Sequence, residues 1–214
     1  MSQIRQFFRS RFSKQGDVRF SSHHDIMRLF ERAFRRARLP VAMSQGYNPR
    51  PRISVPAPLS VGFKGENEVL DFELCRWLEA EDVEQKLAAE LPEGIELQTM
   101  KMLSGKPDRR PSCFSYRIPL RDGHPVCEEK LTGLTARDPL MVERRKKNEV
   151  KEKDISDSLR ELRIQNGQLH MLIAMTERGA ARPEEVLRLL GCRPGRDYLK
   201  SFVVRTHVDL SSSL

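Results

Sequence analysis

The sequence predicts an α+β protein made of two successive βαββαβ units, with antiparallel sheets and helices on one face. Three observations carry that reading. Residues 68–77 alternate as a half-buried strand does, with Leu70, Phe72, Leu74 and Arg76 on one side and Val69, Asp71, Glu73 and Cys75 on the other. Residues 22–38 repeat at helical spacing. The order strand, helix, strand, strand, helix, strand then recurs about a hundred residues later, as a repeat of pattern and not of sequence.

In the first half, Ile4 to Arg11 is expected to be a strand, and Val18 to Phe20 is read as extended. A helix follows from Ser22, whose hydroxyl with Asp25 three residues on forms a capping-box-like start. Ile26, Leu29, Phe30, Ala33 and Ala37 make its apolar stripe. Arg28, Arg32, Arg35, Arg36 and Arg38 fall on the other side, accompanied by one acid, Glu31. Such a charged side is either a plain solvated face or a surface for something negative. The helix runs to about Arg38 and stops before Pro40. Ile53 to Val55 and Glu68 to Trp77 are expected strands. Ala80 to Leu91 is an amphipathic helix with Val83, Leu87 and Leu91 inward, and Ile95 to Leu103 returns as a strand.

Residues 104–112, with Gly105, Pro107 and Pro111, read as a linker. The expected organisation is therefore a ferredoxin-like half over 1–103, the linker 104–112, a second ferredoxin-like half over 113–209, and a polar tail over 210–214. In the second half, Phe114 to Leu120 is a strand, Pro125 to Leu134 a helix, and Leu140 to Arg145 a strand. Arg144 to Lys153 mixes signs and reads as an exposed hairpin or loop that could extend an electrostatic track. Asn166-Gly167, between Ser158–Ile164 and Gln168–Met175, is a hairpin signal. Pro183 opens a helix that Gly191 closes, and Leu199 to Val208 ends the pattern as a strand.

The chain carries 38 Lys+Arg against 30 Asp+Glu, a net charge of +8, which favours a polyanionic partner. Nucleic acid comes first, because Arg and Lys contacts to phosphate supply most non-specific affinity. An anionic membrane fits less well, and no apolar run reaches the ~18 residues of a membrane span. Cys75, Cys113, Cys127 and Cys192 stand far apart with no metal-ligand spacing, so they read as thiols of a reducing compartment. A cytoplasmic location and no cofactor in this chain are expected.

Residues 44–59 are too rich in proline for regular structure. X-Pro restriction holds the backbone extended and Gly46 permits a positive φ. Tyr47, Asn48, Arg50 and Arg52 are thereby offered in fixed directions, as residues able to stack on bases, read their edges and grip phosphates. Alternatively the segment is a structural crossover that packs Tyr47 and Ile53 into the core.

The stretches Phe20 to Arg28, Phe30 to Ala42 and Ser44-Gln45-Gly46-Tyr47-Asn48-Pro49-Arg50-Pro51 resemble the signature of the radical-SAM-linked domain family, bacterial proteins of unknown function. The likeness covers about Phe20 to Leu74, where Gly62 and Glu68 to Leu74 also fit, and is loose beyond. The chain departs at His24, where that family usually carries Leu, and at Tyr47, usually Phe. Members are commonly fused behind, or encoded beside, a cobalamin-type radical-SAM enzyme, often near RNA-processing and ribosomal genes. The resemblance therefore implies an accessory role with a radical-SAM protein in trans. The iron–sulfur cluster of such enzymes needs three cysteines close together, which this chain does not offer.

The expected function is a non-catalytic RNA-binding module, with Arg28, Arg32, Arg35, Arg36, Tyr47, Asn48, Arg50 and Arg52 as contacts. One alternative is a module that docks the radical-SAM partner without touching RNA. The other is a metal-independent ribonuclease in which His23, beside the arginines, activates a 2′-hydroxyl. His23 and His24 diverge by about 100° on a helix and cannot chelate one metal well.

Overall fold

The computed structural model describes residues 5–120, 131, 134, 139–146, 149–192 and 202–211. The fold is α+β, with mostly antiparallel strands, and the chain divides into two compact units, residues 1–110 with 210–214, and residues 111–209.

The first unit runs β1 (Gln6–Lys14), a 3-10 turn (Gly16–Phe20), α1 (His23–Arg36), β2 (Ile53–Ser54), β3 (Lys64–Leu74), α2 (Ala80–Ala88) and β4 (Ile95–Leu103). Its strands lie in the order β4-β1-β3-β2 and all neighbours are antiparallel. Phe72 is the pivot of the register, opposite Phe8 on β1 and Ile53 on β2. Helix α1 starts where its cap dictates: the Asp25 N–H donates to Ser22 Oγ at 3.3 Å and the Ser22 N–H donates to Asp25 Oδ2 at 3.1 Å. It ends one turn before Pro40, with Arg38 at a φ of +52°.

Alternation on β3 separates two chemistries. Leu70, Phe72 and Leu74 point into the core with Phe8, Phe12, Phe30 and Phe34. Phe8 and Phe72 stack at 5.1 Å, Phe12 and Phe30 meet edge-on at 5.0 Å, and Phe34 tilts against Phe72 at 4.7 Å. Val83 and Leu87 close this core from α2. On the other side of the strand, Asp71 and Glu73 are buried carboxylates.

Two expectations for this unit are corrected. Residues 18–20 are not extended. Gly16, at a φ of +55°, turns the chain, and the Ser21 N–H closes a tight turn on the Val18 carbonyl at 2.9 Å. The inward side of α1 includes Phe34, while Leu29 and Ala37 are only half-buried. An aromatic ring against Phe72 gains about 1.5–3 kcal/mol by burial, which outweighs the finer periodicity of the stripe.

The second unit contains β5 (Pro111–Pro119), the hairpin β6 (Met141–Lys146) and β7 (Glu149–Asp154), then β8 (Leu159–Gln165), β9 (Gln168–Ala174), α3 (Pro183–Leu189) and β10 (Val204–Leu210). Strands β10-β5-β9-β8 neighbour one another in that order, and β6-β7 stands as a separate pair. Asn166 and Gly167, at φ of +51° and +68°, make the left-handed turn between β8 and β9. Gly191, at φ +82°, follows the end of α3. The core of this unit is Leu169, Ile173, Val186, Leu190 and Val208. Arg144 turns in from β6 and its Nε donates to Glu185 Oε1 at 2.7 Å. The helix expected over 125–134 lies outside the described residues except at 131 and 134, as does the start of the strand expected from Leu199.

Candidate functional site

The structure opens a groove of about 540 Å³ along α1 in the first unit. One wall is a single side of that helix: Arg28, Glu31, Arg32 and Arg35, at spacings i, i+3, i+4 and i+7. The apolar part is Phe34 with Leu39, Pro40, Val41, Pro51 and Ile53, and Met43 lies at the rim, exposed. The groove exists because α1 turns Ile26, Phe30, Ala33 and Phe34 onto the sheet. That leaves its flank beside the segment running from Leu39 to Ile53.

That segment lies against β3, with Val41 opposite Leu74 and Ile53 opposite Phe72, and Glu73 between them ties its two arms together. The Ala42 N–H donates to the Glu73 carbonyl at 2.7 Å, and the Glu73 N–H donates to the Arg52 carbonyl at 3.1 Å. The Arg52 N–H in turn donates to the Ala42 carbonyl at 2.8 Å. Beyond this anchor the chain loops out through Gln45 to Pro49, with Gly46 at a φ of +131°.

The eight expected contact residues separate into three groups. Arg28, Arg32 and Arg35 line the groove, and among the described residues their guanidinium groups close no ion pair. Tyr47, Asn48 and Arg50 sit on the protruding loop, where Tyr47 is fully exposed. Arg36 and Arg52 are held within the chain instead. Arg36 Nε donates to Glu90 Oε2 at 2.8 Å and its Nη2 to the Glu90 carbonyl. Arg52 Nη1 stands 3.6 Å from Glu73 Oε2, and its Nε donates to the Met43 carbonyl at 3.3 Å. The crossover alternative for the proline-rich segment thus holds for Ile53, which is buried, and fails for Tyr47.

His23 lies away from the groove lining. It is half-buried over a recess of about 10 Å³, shared with Phe12, Lys14, Ile26, Val55 and Glu68, which has room for about one water molecule. Burial lowers the imidazole pKa, and the positive charges of His24 and Lys14 push it the same way. Lys14 is itself buried and its Nζ donates to the Ser21 carbonyl at 2.9 Å.

The sequence puts Asp71 and Glu73 on one side of their strand, and the structure supplies their partners. Arg9 grips Asp71 with two parallel bonds, Nε to Oδ1 at 2.8 Å and Nη2 to Oδ2 at 2.9 Å. Arg109 Nε lies 3.5 Å from the same carboxylate, and Arg5 Nε lies 3.4 Å from Glu73 Oε1. Beside them Arg110 clamps Asp108, whose carboxyl pKa it lowers to about 2. Among the described residues no group of three His, Cys, Asp or Glu is placed to hold a metal ion, and no helix is long and apolar enough to cross a membrane.

Fold and groove define an α+β protein with a cleft walled by three arginines of one helix. The chain belongs to the family described as "Uncharacterized protein conserved in bacteria (DUF2344)", whose pattern matches residues 8–183. No curated protein matches it. Among solved structures it is similar to "an Unknown Protein from Galdieria sulphuraria", at 14% identity over 99% of this chain and 100% of that one. The TM-score of that match is 0.28.

Proposed function

We propose that this chain is a non-catalytic RNA-binding accessory module that works beside a radical-SAM enzyme in RNA modification or ribosome-related metabolism. The observation that carries the RNA half is the groove wall: three guanidinium groups on one helical side that close no ion pair among the described residues, facing an apolar bed. Phosphates are met by the arginines and bases by the bed, which is how irregular, single-stranded RNA is held. Tyr47, fully exposed on a fastened loop, adds an aromatic ring on which a further base stacks. The radical-SAM half rests on the likeness over Phe20 to Leu74, and the nuclease alternative gains nothing from the small recess beside His23.

The test is binding of a single-stranded RNA across a series of salt concentrations. Wild type is expected to show a steep negative dependence of log affinity on log salt. The combined Arg28→Ala, Arg32→Ala, Arg35→Ala variant is expected to lose about two units of that slope, since each single-strand phosphate contact contributes roughly 0.7. A salt-independent wild type overturns the reading. Co-purification of a radical-SAM protein that persists after nuclease treatment, with no RNA recovered, would favour the docking alternative.

A further inference from the structure

One residue of the groove does not belong to a simple phosphate track. Glu31 places a carboxylate on the same helical side as Arg28, Arg32 and Arg35, half-buried at the groove wall. It stands four residues before Arg35, the spacing at which Glu and Arg readily pair. Among the described residues it nevertheless closes no ion pair, so both oxygens remain open. A surface meant only for phosphates would repel its ligand at this point. A carboxylate only accepts hydrogen bonds, and two adjacent N–H donors satisfy it best.

From this, and resting on the RNA-binding reading, we infer that the groove lodges an unpaired guanine, whose Watson–Crick edge is read by Glu31. Guanine alone among the four RNA bases offers two neighbouring donors there, N1–H and the N2 amino group. Adenine and cytosine each set a ring acceptor beside their amino group, and uracil flanks its single N–H with two carbonyls, so each presents a lone pair to the carboxylate. The edge must be free of its pairing partner, which confines recognition to single strands, loops and bulges. The purine rings would rest on Val41, Pro40 and Ile53, while Arg28, Arg32 and Arg35 take the flanking phosphates. The groove volume of about 540 Å³ falls inside the ~300–1,000 Å³ typical of sites for small ligands.

The experiment compares short uridine oligonucleotides carrying one central guanosine, inosine, adenosine or cytidine, titrated by fluorescence anisotropy against wild type and Glu31→Gln. Wild type is expected to favour guanosine over adenosine and cytidine by roughly tenfold or more, with inosine, which lacks the N2 amino group, in between. Pairing the guanosine with a complementary strand is expected to abolish the preference. Glu31→Gln is expected to lose the preference and to bind plain oligouridine more tightly than wild type, because a negative charge has left a cationic groove. General damage to the fold would weaken both. Equal, salt-dependent wild-type binding of all four oligonucleotides overturns the guanine inference and leaves the RNA-binding reading standing. Salt-independent or absent binding of every oligonucleotide overturns both, and a preference that survives in Glu31→Gln removes Glu31 as its reader.

Discussion

Ser44 and Arg50 are tied twice across the neck of the proline-rich loop: the Ser44 N–H donates to the Arg50 carbonyl at 2.8 Å, and the Arg50 N–H donates to Ser44 Oγ at 2.8 Å. Five residues, Gln45 to Pro49, therefore leave and re-enter the fold at one fixed point. Tyr47 is carried at the tip of a closed ring of backbone.

Replacing Ser44 by Ala removes the side-chain half of this tie and nothing else. Because the bond is exposed, the expected loss of stability is below about 1 kcal/mol, measured by denaturant unfolding. RNA affinity is expected to fall several-fold, as the stacking ring of Tyr47 must then be ordered on binding. Unchanged affinity would mean that the loop tip does not contribute.

Arg9 and Asp71 are unequally buried, and this sets the sign of a comparison. Asp71 is fully buried, whereas the Arg9 side chain is about one quarter exposed. Arg9→Met leaves a buried carboxylate with only the looser Arg109 and is expected to cost about 3 kcal/mol. Asp71→Asn leaves a cation that can reach water and is expected to cost less. The double change Arg9→Met with Asp71→Leu is expected to recover most of the first loss, which denaturant unfolding of the double variant beside Arg9→Met reads directly.

His23 predicts a pH dependence. Burial, with His24 and Lys14 nearby, holds its folded pKa below the ordinary imidazole value. The unfolded chain therefore takes up the proton more readily, and stability rises with pH across the interval between the two values. Full stability is expected above the ordinary imidazole range, with a decline as pH falls through it. His23→Gln is expected to flatten that part of the profile between about pH 5 and pH 8. An NMR titration midpoint for His23 at or above that of a free histidine would contradict this account.

Features encoded locally were legible. Ser22 and Asp25 announce the start of α1 and Asn166-Gly167 the turn between β8 and β9, and the strand expected from Ile95 to Leu103 is β4. What escaped was decided by residues far apart in sequence. Phe34 is inward because Phe72 lies under it, 38 positions away, and no helical wheel contains that ring. The site was half-legible for the same reason. The arginines of α1 could be counted, but Glu90 and Glu73, which hold Arg36 and Arg52, come from other elements. The apolar bed was likewise hidden, because Leu39, Val41 and Ile53 meet only when Ala42 and Arg52 are hydrogen-bonded to Glu73 and to each other.

The Glu73 anchor has a consequence for how this family can vary. A slip of β3 by one residue would thrust two carboxylates among phenylalanines, so the strand cannot be re-paired to move the groove. Evolutionary change in reach must enter instead beyond the Ser44–Arg50 tie. Insertions there would lengthen the finger that carries Tyr47 while the cleft beneath it kept its dimensions.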